Sequence, residues 1–121
     1  MIGLLRKAFL VELAAAEAAT AATDSERAFH HLARAHILSQ RFTWHHVRVH
    51  WRMLKLGASL RDWREVIGQT TRMLAAALFS RIWVPIGNTG RANVSAMKPM
   101  PIPQDLRGVL ESDAVDFRRL P

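Results

Sequence analysis

The chain contains no cysteine, so neither a disulfide framework nor a thiolate metal site is open to it. Any metal it holds must be bound by imidazole nitrogen and oxygen. It also lacks a run of eighteen or so uninterrupted apolar residues, which argues against a membrane-spanning helix. The nearest approach is Ala8 to Ala22 behind the basic pair Arg6 and Lys7, the outline of a cleaved leader. Glu12 and Glu17 interrupt that stretch, and two carboxylates would be costly in such a role. Residues 2–22 therefore read as the first helix of the folded domain. Acidic residues are few, 10 against 17 Lys and Arg, for a formal charge of +7. An arginine-rich solvated surface accounts for this, with attraction to nucleic acid, anionic lipid or an acidic substrate as the alternative. Common catalytic signatures are missing too: no phosphate-cradling glycine loop opening a helix, no Gly-x-Ser-x-Gly elbow, no His-Glu-x-x-His.

What is present is 121 residues, half of them hydrophobic, enough for one domain spanning 1–121 with its own core. The cysteine-free composition fits a reducing compartment, and the expected location is the cytoplasm. Capping signals divide the chain. Thr23-Asp-Ser-Glu26 has capping-box spacing, Thr43 can cap a helix that Gly57 ends in a left-handed conformation, and Ser59 to Asp62 starts another. The expected helices are 2–22, 24–40, 44–56 and 60–81, the last stopped before Pro85. Short loops make consecutive helices antiparallel neighbours. Residues 83–104 combine turn residues with prolines, yet carry Val94, Met97, Met100 and Ile102. They are expected to lie along the helices as a strap, followed by a short helix at about 104–111 and a frayed end at Arg118 and Arg119. The fold class expected is all-α: a small antiparallel four-helix bundle with an irregular, proline-rich C-terminal strap.

Helical wheels place the chemistry, since each residue turns the helix by about 100°. On the second helix Arg27, Arg34 and Arg41 mark a wet face with His30 near it and His31 at its boundary. His36 and Gln40 fall on the apolar side with Phe29 and Leu32. On the third helix His46 and His50 lie opposite the stripe of His45, Arg48, Arg52 and Lys55, four residues apart, so that both rings can reach one ion. On the first helix Glu12 sits inside the apolar stripe. On the fourth, Glu65, Gln69 and Arg72 form a polar stripe at the rim of an apolar face holding Trp63, Val66 and Met73.

A single inward histidine is usually a hydrogen-bonded core residue. Three imidazoles and a carboxylate converging from adjacent helices are more economically satisfied by a metal. The reading is a metalloprotein, with His36, His46, His50 and Glu12 as ligands to a divalent zinc, iron, manganese or copper ion. Gln40 and Gln69 would be outer hydrogen-bond partners, and Glu12, Glu65 and Arg72 the groups for catalysis on a small-molecule substrate. Glu65 with Glu12 would admit a second metal. A coordinatively closed metal-binding or metal-stress protein is one alternative. A nucleic-acid or anionic-surface binder using Arg27, Arg34, Arg41, Arg48, Arg52, Lys55 and Arg61 is another, disfavoured because no recognised motif accompanies the charge and Trp44, Trp51 and Trp63 read as core. A homodimer is compatible with so small a bundle.

The elements Arg34-Ala-His36-Ile-Leu-Ser-Gln40, His46-x-x-x-His50, Glu65-x-x-x-Gln69-x-x-Arg72, Pro85-Ile-Gly-Asn-Thr-Gly90-x-Ala-Asn-Val-Ser95 and Lys98-Pro-Met-Pro-Ile-Pro103 resemble a bacterial family of small proteins classed only as a domain of unknown function, over about residues 10–110. The resemblance implies that the histidine elements and the proline-rich segment belong to one unit. Arg91 departs from the family pattern, which has a second glycine there. The Gly87-Asn-Thr-Gly90 stretch reads as a tight turn with left-handed positions, with ligand-binding amides as the other reading.

Overall fold

The structure is a computed structural model describing residues 1, 3–79, 82 and 85–118. It is all-α, with five helices among the described residues: α1 (Gly3–Ala21), α2 (Ser25–Ser39), α3 (Thr43–Ser59), α4 (Trp63–Phe79) and α5 (Gln104–Arg118). No strand occurs among them. The expected positions of Arg81, Trp83 and Arg119 lie outside the described residues. The expected short helix at about 104–111 is present, held by Leu106 in the core with Val109 and Leu110 beside it, and α5 continues beyond it to Arg118, where the sequence reading had a frayed end.

Helix boundaries follow side-chain capping, with three differences from the sequence reading. Asp24, not Thr23, caps α2 by accepting a bond from Arg27 N at 3.1 Å. Thr23 is instead held at φ 58°, a position the chain uses to turn between α1 and α2. α3 begins at Thr43 with Phe42 as its cap and no side-chain capping bond. It also runs past Gly57, which is buried where an added Cβ would lie 3.0 Å from Glu65 Cβ. Gly57 is thus a contact point between α3 and α4, and the left-handed residue between them is Arg61. Asp62 caps α4 through Glu65 N at 3.1 Å.

The core is built by Leu5, Phe9 and Leu13 of α1, Phe29 and Leu32 of α2, Val49 and Met53 of α3, and Leu106 of α5. α1 pairs with α2, α2 with α3 and α3 with α4, while α5 lies on α1 and α2. α4 contributes nothing to that core. Its buried residues are Glu65, Gln69 and Ala76, whereas Trp63, Ile67, Leu74 and Leu78 are each more than 60 % exposed. The sequence reading had this helix turned the other way, with Glu65, Gln69 and Arg72 at the rim and Trp63 inward. Trp44 and Trp51 are exposed as well, not core. α4 packs along α3 with Glu65 and Gln69 turned inward, and the segment from Pro85 onward also lies against it: an added Cβ on Gly68 would sit 2.6 Å from Ala92 Cβ. No helix of the described residues is long and apolar enough to cross a membrane.

Candidate metal centre

His36 enters from α2, and His46 and His50 from successive turns of α3; all three are buried. Their ligand atoms lie within 4.8 Å of one another. His46 Nε2 is 2.7 Å from His36 Nε2 and 3.2 Å from His50 Nε2. Nitrogens that share an ion at about 2.1 Å stand about 3.0 Å apart in octahedral and about 3.4 Å apart in tetrahedral geometry, so the rings would spread by a few tenths of an ångström to admit one.

The outer nitrogens explain why the inner ones point at each other. His36 Nδ1 is 2.8 Å from the Asn88 carbonyl, which can only accept, so Nδ1 carries the proton and Nε2 a lone pair. Gln69 Nε2 donates to Glu65 Oε1 at 2.6 Å and to the Gly90 carbonyl at 2.8 Å. With both amide hydrogens committed, Gln69 Oε1 accepts from His50 Nδ1 at 2.6 Å, and His50 Nε2 is also a lone pair. One proton on His46 Nε2 could serve only one of these two acceptors. A cation placed among the three nitrogens would satisfy all of them, and a donated second nitrogen is the usual arrangement around metal-bound imidazole.

Protonation offers no escape. Burial, and then the neighbouring His50 and His46, hold His36 well below its ordinary 6.5. Burial and then His50 lower His46 to about 3. Burial lowers His50 to about 4, with the Arg72 charge adding to it and the Gln69 bond opposing. The rings are neutral at neutral pH, the state in which imidazole can ligate a metal.

The loop after α4 supplies the remaining supports. Gln40 donates to the Pro85 carbonyl at 2.9 Å and accepts from Gly87 N at 3.1 Å. Asn88 donates to the carbonyls of Ser95 and Lys98 at 2.8 and 2.7 Å and accepts from Gly90 N at 2.9 Å. Gly87 and Gly90 both have φ +76°, as the tight-turn reading expects, and a Cβ at Gly90 would meet His36 Cδ2 at 2.7 Å. Glycine is needed there both for its backbone angle and for room against the imidazole. Arg91 is not at positive φ, so its side chain imposes no backbone strain there. Its guanidinium lies 3.7 Å above the Phe29 ring and 3.4 Å from Glu65 Oε2.

The structure brings together His36, His46 and His50 and puts Gln40, Gln69 and Glu65 behind them. Glu65 reaches the cluster only through Gln69, its oxygens being engaged by Gln69, Arg91 and Ala92 N, so it bridges no second ion. Glu12 is not brought there. It is buried as expected, but its carboxylate is bound by His31 Nδ1 at 2.8 Å and Arg34 Nε at 2.7 Å, and Arg34 also pairs with Asp105 of α5. The inward carboxylate is therefore neutralised between α1 and α2, and Arg34 belongs to that cluster rather than to a solvated ladder. His31, placed at the boundary by its wheel position, is Glu12's partner. The Asn88 carbonyl is the support the sequence left unassigned; the two glycines bracketing it are its only trace.

The three imidazoles form one wall of a pocket of about 460 Å³. Arg72 and Asn88 also line it, and the other walls are apolar, Phe79 and Met97 among them. The site therefore has a closed side of hydrogen-bonded supports and an open side of hydrocarbon. No curated protein and no solved structure matches the chain. A family model does match, over residues 4–110, a span holding every residue of this centre, and the chain belongs to the family described as protein of unknown function (DUF3703).

Proposed function

We propose that the protein is a metalloprotein holding one divalent transition-metal ion between Nε2 of His36, His46 and His50. The observation that carries this is the pair of outer hydrogen bonds, His36 Nδ1 to the Asn88 carbonyl and His50 Nδ1 to Gln69 Oε1, which turn two lone pairs toward the third ring, all three ligand atoms lying within 4.8 Å of one another. Three neutral imidazoles suit zinc, iron, manganese or copper(II). With three protein ligands on one wall of a pocket, further coordination positions face the cavity, the arrangement of a catalytic site rather than a coordinatively closed one. A metal held by these three residues would supply Lewis acidity at the pocket's edge. The chain's own part is to fix the rings through Gln69, Asn88 and Gln40 and to keep bulk water off with the apolar walls. Arg72 is the charged group at hand for a reacting anion.

Elemental mass spectrometry on the untagged protein, stripped with chelator and reloaded, tests the reading. About one ion per chain, lost in His46→Ala and in His50→Ala, is the expected result. A folded protein that takes up none of the four metals specifically would refute it.

A further inference from the structure

Arg72 lies in the same pocket as the three histidines, about half buried. One of its nitrogens donates to the Val94 carbonyl. Among the described residues it forms no ion pair with a carboxylate, because the oxygens of the nearby Glu65 are engaged by Gln69, Arg91 and Ala92. No acidic side chain among the described residues lines the pocket. Asn88 presents no free amide hydrogen to a ligand in the pocket, since both go to the carbonyls of Ser95 and Lys98. Partial burial lowers the Arg72 pKa, and the nearby Glu65 charge opposes that shift without forming an ion pair with it. Beyond it the walls are Ala75, Ala76, Phe79, Pro85 and Met97.

We propose that this pocket binds a small carboxylic acid of mainly hydrocarbon character, its carboxylate paired with the Arg72 guanidinium beside the metal and its body along the apolar walls. The metal half of this statement rests on the function proposed above; the pairing with Arg72 does not. A guanidinium presents a planar fork that matches a carboxylate. In the metal-free pocket a phosphate group would find one guanidinium among the described lining residues, fewer donors than its three oxygens take. A neutral apolar molecule would leave Arg72 without an ion-pair partner. The volume of about 460 Å³ accommodates a six- to eight-carbon acid with room for a metal-bound water.

The test is calorimetric titration of hexanoate and octanoate into the cobalt(II)-loaded and the metal-free protein, with the cobalt visible absorption recorded in parallel. Saturable binding is expected, tightening about two- to fourfold per added methylene. Hexanamide should bind at least about tenfold more weakly, as should hexanoate to Arg72→Met, with Arg72→Lys in between and cobalt still bound in both variants. Circular dichroism checks that each variant is folded, and Arg72→Lys carries the test should Arg72→Met not fold. Failure to load cobalt would count against the metal reading alone, since the metal-free titration still reports on Arg72. No saturable acid binding in either form, equal binding of hexanamide, an unchanged affinity in the Arg72 variants, or tighter binding of hexylphosphonate than of hexanoate would each overturn the proposal.

Discussion

Replacing Gln69 with leucine removes the amide that connects His50 to Glu65 and Gly90 at nearly constant volume. In the metal-free protein the His50 N–H and the Gly90 carbonyl lose their partners, and each buried orphan costs about 1–3 kcal/mol. The expected destabilisation is therefore about 2–6 kcal/mol. The effect on metal has a separate origin. Without Gln69 Oε1, nothing keeps the proton on His50 Nδ1, and the tautomer with Nε2–H, which donates toward His46, blocks the metal position. Loss of such an outer partner weakens metal binding about 10–100-fold. Gln69→Glu separates the two effects: it restores an acceptor for Nδ1 but loses the Gly90 bond and sets a second carboxylate beside Glu65, so it should recover metal affinity without recovering stability. Competition against a chromophoric chelator gives the affinity, and urea unfolding of the metal-free forms gives the stability. A leucine variant with undiminished zinc affinity, or a glutamate variant as weak as leucine, would refute the argument that the hydrogen bond selects the tautomer.

Three further outcomes follow from other parts of the molecule. The cluster's imidazoles are held neutral, His46 to about 3 and His50 to about 4, so the unfolded chain takes up protons first as pH falls. Their contribution is complete above about pH 6.5 and declines toward pH 4, by up to about 1.4 kcal/mol per pH unit for each ring; urea midpoints of the metal-free protein that stay level from pH 6.5 to 5 would contradict this. Gly90→Ala combines an unfavourable backbone angle with a Cβ 2.7 Å from His36 Cδ2. It should cost about 1–3 kcal/mol and weaken metal binding at least about tenfold, checked by the same pair of assays. Glu12→Gln removes the charge shared by His31 and Arg34 and should destabilise the fold by about 2–4 kcal/mol. Its metal affinity should be unchanged, whereas a loss of affinity would return Glu12 to the metal centre.

The residues legible in the sequence were those whose wheel position and chemistry agree. His36, His46 and His50 stand out because each is a polar group surrounded by apolar neighbours at helical spacing, and two of them share one face. Glu12 was legible as buried but not as to its partner, since a wheel gives direction on one helix and not which neighbouring side chain meets it. His31 and Arg34 took it instead. α4 misled for a physical reason: its rotation follows from contacts with residues 85–92, distant in sequence, while its amphipathic pattern indicates the opposite face. The five helices themselves were nearly all readable from periodicity. α5 was expected too short because the apolar face that holds it, against α1, involves the far end of the chain.

The reversed face of α4 bears on how the molecule selects a single arrangement. Burial of hydrocarbon is nondirectional and tolerates a range of helix rotations, whereas hydrogen bonds weaken steeply with misalignment. Turning α4 by one residue, about 100°, would withdraw Glu65, Gln69 and Arg72 together and gain nothing that resembles them. The same rotation would take Gln69 away from His50, so the setting of α4 and the setting of the His50 ring go together. The helix with no side chain in the main hydrophobic cluster is oriented by directional bonds.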